Sequence, residues 1–169
     1  MGETEDYSKF NLSYFTGKIT AVEEITVDDK TGIVYEQDIN FQFENGMILS
    51  IQDNDIQCKT EDTGKEKCVQ LITGFHSPIE KCTDNPQKTG FFYNPVNQYH
   101  EPTIRGIIKK IFIPSVEKYV PFRRYAILDV GMGEILLLLE KDDQEDFLQF
   151  HEGDFVLIKE GLLAVLDAK

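Results

Sequence analysis

Alternation of apolar and polar residues with a period of two is the feature that most constrains this chain. Ile39, Phe41 and Phe43 recur at every second position and are followed at once by Asn45-Gly46. Such a period places residues on one face of a strand, and Asn-Gly favours a hairpin because both residues tolerate a positive φ. Segments of this type predict strands over residues 15–27, 33–43, 47–51, 68–72, 104–113, 125–130, 134–140, 155–159 and 162–166.

One segment is predicted to be helical. Asp142–Phe150 begins with acidic residues and ends before Glu152-Gly153, as helices commonly do. Strands with a helix between the third and fourth suit a small barrel, in which closure removes exposed strand edges. The predicted fold class is all-β, with one short helix and two small five-stranded barrels in tandem. The predicted domains are a flexible arm at 1–11, an N-terminal barrel at 12–82, an aromatic linker at 83–102 and a C-terminal barrel at 103–169.

The two halves of the chain share a glycine pattern. Gly17 and Gly106 lie in similar strand sequences 89 residues apart, and the pairs Gly46/Gly133 and Gly74/Gly161 are each separated by 87 residues. Glycines also recur by chance in β proteins. Duplication and coincidence are therefore both open at this point.

Charge is distributed unevenly along the chain. The formal net charge is −13, from 17 Lys and Arg against 30 Asp and Glu, which disfavours nonspecific contact with phosphate backbones. Residues 103–125 are the exception, because six Lys and Arg face Glu117 alone and leave a local balance of +5. The acidic total therefore conceals one basic segment.

Several sequence features bear on where the protein resides. No apolar run approaches the ~20 residues that a membrane helix needs. The acidic start, Met1-Gly-Glu-Thr-Glu-Asp, lacks the basic and apolar regions of a secretory signal. The three cysteines are widely spaced and do not resemble a disulfide framework. We expect a cytoplasmic protein without membrane association.

Three short motifs in the second half resemble the OB-fold superfamily. They are Ile104-Arg-Gly-Ile-Ile108, then Tyr125-Ala-Ile-Leu-Asp-Val-Gly-Met-Gly133-Glu-Ile, and Glu152-Gly-Asp-Phe-Val156. They are similar to the opening strand, the following hairpin and the entry to the fourth strand in replication-protein-A-like single-strand binders and tRNA-synthetase anticodon-binding domains. The resemblance covers residues 103–169, stays at the superfamily level and implies OB-like barrels.

The resemblance also implies a nucleic-acid interface. OB-folds bind nucleic acid across strands two and three and between the loops that flank them. Mapped onto this chain, the first long loop and its neighbourhood combine cations with aromatic rings, which serve single strands through phosphate neutralisation and base stacking. The predicted ligand is single-stranded DNA or RNA, and its predicted contacts are Arg105, Lys109, Lys118, Tyr119, Phe122, Arg123 and Arg124. The alternative is that these aromatics pack the loop while the cations balance the chain's own acids.

A second hypothesis is a protein interaction module. Its acidic surface would suit a basic partner within a larger complex, and the aromatic linker supplies anchors. The candidate partner-binding residues are Phe91, Phe92, Tyr93 and Tyr99. The same residues would also serve as packing between two barrels.

Catalysis and metal binding have little support. The chain has no phosphate loop, dinucleotide fingerprint or metalloprotease motif, so we expect neither an enzyme nor a cofactor. Cys58, Cys68, Cys82 and His76 make the four ligands of a zinc hypothesis, but their spacing is not that of zinc knuckles. Small buried cysteines are the alternative, and no metal site is predicted.

Overall fold

A computed structural model describes residues 10–75, 79–82, 88–96, 98–112, 124–139 and 150–169. These ranges form strands joined by turns, with a short 3₁₀ helix at Thr60–Asp62. The strands are β1 Phe15–Val27, β2 Val34–Phe43, β3 Ile48–Gln52, β4 Glu66–Phe75, β5 Glu80–Lys81, β6 Gly90–Phe92, β7 Thr103–Phe112, β8 Arg124–Asp129, β9 Glu134–Leu139, β10 Phe155–Ile158 and β11 Gly161–Ala168. The prediction of an all-β barrel fold is confirmed.

Each predicted strand has a counterpart in the structure, and the limits of β1 agree at both ends. The short strands β5 and β6 were not predicted. The helix predicted at Asp142–Phe150 falls almost entirely on residues 141–149, which lie outside the described residues. Phe150, at its end, is buried in the core.

Five strands close into a barrel with OB-like strand order. β1, β2 and β3 form an antiparallel meander, β3 pairs in parallel with β11, and β11 pairs with β4, which returns to β1. Gly17 permits the close approach of β1 to β2, since a Cβ there would overlap the carbonyl oxygen of Gln42. Glycine at such a barrel position lets neighbouring backbones approach closely.

The second half has the same strand arrangement, and one of its strands comes from the first half of the chain. β7, β8 and β9 form its meander and β10 pairs with β7, while the end of β4 runs parallel to β9 and β5 pairs with β10. β11, at the other end of the chain, completes the first barrel instead. The halves therefore exchange strands, and the pairing crosses the limits 12–82 and 103–169 that the sequence suggested.

The exchanged strands are related by a pseudo-twofold axis. In the β4–β11 ladder Gly74 faces Leu162 and Phe75 faces Gly161, so a shift of 87 residues maps this ladder onto itself. The outer pair Val69–Ala168 likewise maps onto the pair Lys81–Val156.

A hydrogen bond at the end of each barrel recurs with the second offset found in the sequence, 89 residues. Gly64 donates its backbone N–H to Ile19 O, and Gly153 donates to Ile108 O, each at 2.7 Å and 89 residues apart. Gly106 stands where Gly17 stands in the first barrel, and a Cβ there would lie 2.7 Å from Asp129 O. Structure and sequence thus give the same two offsets, which supports an internal duplication.

The core is continuous between the halves. One cluster joins Phe41 and Leu49 of the first barrel to Ile104 and Leu137 of the second half. A smaller cluster covers the outer face of β8 and β9, where Phe10 and Leu12 pack on Tyr125, Ile127 and Leu136. Phe10 therefore lies buried at the end of the predicted arm, residues 1–9 of which are outside the described part.

Among the described residues, none of the helical segments has the length and apolar character needed to cross a membrane.

Candidate functional site

The outer face of β7 carries the basic residues of the second half. Ile104, Gly106 and Ile108 point into the core, so Arg105, Ile107 and Lys109 alternate outward. On the neighbouring strand β10, Leu157 lies directly opposite Arg105, and Phe155 lies opposite Ile107. Paired residues of an antiparallel ladder share a face. The outward surface of β7 and β10 is therefore apolar with cations at intervals.

Arg105 is held against an aromatic ring. Its guanidinium carbon lies 4.9 Å from the centroid of the Phe92 ring, and the backbone of Gly90, two residues before Phe92, pairs with Arg105. The Nε of Arg105 is buried and has no hydrogen-bond partner among the described residues. A cation over a ring face is attracted by the ring quadrupole, which helps to fix the position of the side chain.

Four lysines of the described residues differ from Arg105 because each is paired with a carboxylate. Lys109 Nζ lies 3.3 Å from Glu134 Oε1, and Lys159 Nζ lies 3.0 Å from Glu80 Oε1. Lys67 and Lys81 pair with aspartates in the same way. Within the described ranges no carboxylate lies within ion-pair distance of Arg105, although the chain carries an excess of acids. Arg105 shares this feature with Lys110 of the same strand, whose Nζ lies 4.9 Å from the centroid of the Phe112 ring.

The residues predicted to bind nucleic acid do not assemble into a described surface. Arg105 and Lys109 share the outer face of β7, but Lys109 is neutralised by Glu134. Arg124 begins β8. The remaining residues, Lys118, Tyr119, Phe122 and Arg123, lie outside the described residues.

The aromatic linker is packed against the first barrel. Phe91 is only 5% exposed and its ring centroid lies 5.3 Å from that of Phe43, so it is a core residue and cannot anchor a partner. Tyr93 Oη accepts from the backbone N–H of Ile48, and the Tyr99 carbonyl accepts from Ser50 N–H. The linker thus covers the part of the β3 edge that precedes its pairing with β11.

The four linker aromatics therefore divide between different roles. Phe92 supports Arg105. The rings of Tyr93 and Tyr99 meet edge to face at 5.9 Å and are each a little over two-fifths exposed.

Asp53 organises the loop after β3. Its buried carboxylate accepts hydrogen bonds from Gln37 Nε2, Gln57 N and Cys58 N, at 2.8 to 3.0 Å. Burial raises the pKa of the Cys58 thiol to about 12, and the nearby Asp53 charge adds to this effect. A thiol of this kind is a poor nucleophile and a poor metal ligand, because both roles require the thiolate.

The other residues of the zinc hypothesis do not join Cys58. Cys68 contacts the Thr16 hydroxyl at 3.4 Å, Cys82 is part-buried, and His76 lies outside the described residues. In the described ranges, no group of three or more His, Cys, Asp or Glu is placed to hold a metal ion.

Asp154 caps the turn that leads into β10. Its carboxylate accepts from His151 N–H at 2.7 Å and lies 3.2 Å from Lys81 Nζ. Partial burial acts to raise the pKa of Asp154, but the His151 N–H and the Lys81 cation together outweigh it and hold the pKa below its usual value. Lys81 lies on the exchanged strand β5, so this ion pair joins the two halves.

Sequence reasoning missed the pairing of Arg105 with Phe92, because it placed the two residues in different candidate sites. It also missed Ile107 and Leu157, which surround Arg105. Their only sequence signal is alternation along a strand, and that signal does not distinguish an outward ligand-facing position from any other outward position.

Comparison with known proteins gives few relatives. No protein-family model matches the chain, and no curated protein sequence matches it. Among solved structures, the chain is similar to ModG, a cytoplasmic molybdate-binding protein crystallised with molybdate bound. The two chains are 16% identical with a TM-score of 0.40, over 89% of this chain and 93% of ModG.

The predicted partners, single-stranded DNA or RNA and a docked protein, are wrong. Lys109, a predicted nucleic-acid contact, is paired with Glu134, and Phe91, a predicted partner anchor, is buried in the core. The coarser expectation of an OB-like barrel agrees with the strand order, whereas the nucleic-acid-binding type is not supported.

Proposed function

We propose that this chain is a non-enzymatic binding protein that takes a small anion at Arg105, on the outer face of β7. The observation that carries the proposal is the guanidinium of Arg105, which is held over the Phe92 ring and has no carboxylate partner among the described residues. A hydrogen bond from a charged donor contributes about 1.5–3 kcal/mol, and an anion on this guanidinium would gain it. A guanidinium also presents its donors as a planar fork that matches the oxygens of an oxyanion.

The charge of the protein favours a small ligand over a long polyanion. The chain carries a net charge of −13, and the neighbouring lysines Lys109 and Lys159 are already paired with acids. An extended anion would need several free cations along one face. A small anion needs only Arg105.

The surroundings of Arg105 favour binding over catalysis. Its described neighbours are the ring of Phe92, the side chain of Leu157 and the backbone of Gly90. None of these groups is a nucleophile or a general base, which acid–base or covalent catalysis would require.

The experiment is a titration of the purified protein with phosphate, sulfate, molybdate and acetate at constant ionic strength, followed by calorimetry and thermal shift. Arg105→Gln removes the charge and the fork, and should weaken binding about 10–150-fold, the equivalent of about 1.5–3 kcal/mol for a hydrogen bond to a charged group. Arg105→Lys keeps the positive charge but loses the planar set of donors. Its affinity for the anions should lie between those of the unmodified protein and Arg105→Gln.

Lys109→Gln is the matched control, since Lys109 lies four residues away on the same strand but is already paired. It should bind the anions within about twofold of the unmodified protein, because it contributes no free donor. Binding that Arg105→Gln leaves unchanged, or the absence of saturable binding to all four anions, would overturn the proposal.

A further inference from the structure

We infer that the ligand of the Arg105 site is an amphiphilic monocarboxylate, with one carboxylate on the guanidinium and an apolar body along β7 and β10. This inference rests on the function proposed above and names the class of ligand. Two features of the outer face support it: the charge around Arg105 and the apolar character of the residues beside it.

The charge around Arg105 suits one negative charge and disfavours a second. Three acids lie along this part of the sheet: Glu134 pairs with Lys109, Glu80, opposite Leu157, pairs with Lys159, and Asp129, opposite Ile107, accepts from the Gly131 N–H. With these lysines neutralised, Arg105 is the uncompensated cation beside Leu157, whereas Lys110, which also has no described carboxylate partner, lies five residues along β7 against the Phe112 ring. A multiply charged anion on Arg105 would meet repulsion from the acidic chain, with no second uncompensated cation beside it among the described residues.

The surface beside Arg105 is apolar along two strands. Leu157 lies opposite Arg105, and the next outward pair along the ladder is Ile107 with Phe155. Ile107 is 36% exposed, and Leu157 and Phe155 are each part-exposed although they point outward. Phe92 closes the other side of the guanidinium. A ligand that places its carboxylate on Arg105 therefore extends its body over hydrocarbon, which favours an alkyl or aryl group.

The size of the preference follows from the apolar contact. Full burial of a methylene group strengthens binding about fourfold, and contact on one open face gives about half of that free energy, or about twofold per methylene. Octanoate has six more methylenes than acetate. With only the first three or four of them in contact with Ile107, Leu157 and Phe155, octanoate should bind about 10-fold more tightly than acetate.

The test compares four probes on the full chain by calorimetry below the micellar concentration: octanoate, benzoate, acetate and phosphate. The neutral amide octanamide is a fifth probe that keeps the tail and removes the charge. We expect octanoate and benzoate to bind about 10-fold more tightly than acetate and phosphate, and octanamide to bind at least 10-fold more weakly than octanoate.

Two variants separate the parts of the site. Arg105→Gln should reduce octanoate affinity about 10-fold or more. Leu157→Ser should reduce octanoate affinity severalfold and leave acetate unchanged, because it removes apolar contact without removing charge. Leu162→Ser, at a part-exposed position of β11, is the matched control and should leave both affinities unchanged.

The outcomes distinguish this inference from the proposed function. Equal affinity for octanoate, acetate and phosphate, all lost in Arg105→Gln, would overturn the monocarboxylate and leave the anion site standing. Tight binding of octanamide would overturn the role of the carboxylate. No binding of any charged probe would overturn both proposals.

Discussion

Leu163 offers the sharpest test of the strand exchange. It belongs to the second half by sequence, is 3% exposed, and lies on β11 opposite Thr73 of β4. Truncation to alanine removes buried methyl and methylene groups and leaves a cavity, which costs about 2–5 kcal/mol. For a chain of 169 residues, a loss of about 3 kcal/mol lowers Tm by roughly 6–12 °C.

The location of the damage is as informative as its size. Because β11 closes the first barrel between β3 and β4, Leu163→Ala should reduce hydrogen-exchange protection in β1–β3, more than 100 residues away along the chain. Urea denaturation gives the free energy, and mass spectrometry of peptic peptides gives the protection. Leu162→Ala is the matched control, since Leu162 is part-exposed, and should cost less than about 1 kcal/mol.

Two results would refute this reasoning. One is equal destabilisation by Leu163→Ala and Leu162→Ala, because burial would then not matter at this strand. The other is a loss of protection confined to β7–β9 with β1–β3 unchanged. That result would show that β11 stabilises the second half, to which it belongs by sequence, and not the first barrel.

Three further predictions concern separate features. Gly17→Ala and Gly106→Ala should each lower the free energy of unfolding by about 1–3 kcal/mol in urea denaturation, because a Cβ meets a backbone oxygen at both sites. Gly74→Ala is the control and should be near neutral, because the nearest atom to its Cβ is 4.0 Å away. Equal losses for all three variants would contradict the close approach. The lowered pKa of Asp154 means that its stabilising effect is present above about pH 4, the unfolded pKa, and is lost as the pH falls through the folded pKa. Asp154→Asn should therefore be less stable at neutral pH and show a shallower loss of stability in acid, and an unchanged pH profile would exclude this contribution. At pH 8 a thiol with a pKa of about 12 is roughly one part in 10⁴ thiolate, so Cys58 should label with iodoacetamide only upon unfolding; rapid labelling in the native protein would contradict its burial.

The local structure could be predicted from the sequence because its signals are local. Alternation along β2 and the Asn45-Gly46 turn identify the β2–β3 hairpin without reference to the rest of the chain. The short strand Glu80–Lys81 was missed for the opposite reason. Two charged residues show no alternation of apolar and polar character. This strand is defined only by its pairing with β10.

The strand exchange could not be predicted. β11 has the same alternating pattern whether it closes the barrel beside it in sequence or the more distant one, so periodicity cannot select between them. The glycine offsets indicated a duplication but not its symmetry. Only the register, with Gly74 opposite Leu162 and Phe75 opposite Gly161, reveals the pseudo-twofold axis.

The candidate site was predicted in part. Arg105 was predicted as a nucleic-acid contact, and Phe92 as a partner-binding residue. Their contact depends on β6, a three-residue strand whose pairing with β7 brings positions 13 residues apart in sequence together. The ligand class was wrong because the sequence could not show which cations are already neutralised, and Lys109 is one of these.

The exchange of β11 also determines when the first barrel can close during synthesis of the protein. β4 is complete at Phe75, yet its partner in the first barrel ends at Ala168, so 93 residues must be added before that barrel can close. At translation rates of about 5–20 residues per second, the meander β1–β3 waits roughly 5–20 s with an unpaired edge. The first half to be made is thus the last to be finished, and during that interval the nascent chain exposes a strand edge that another copy on the same message could occupy.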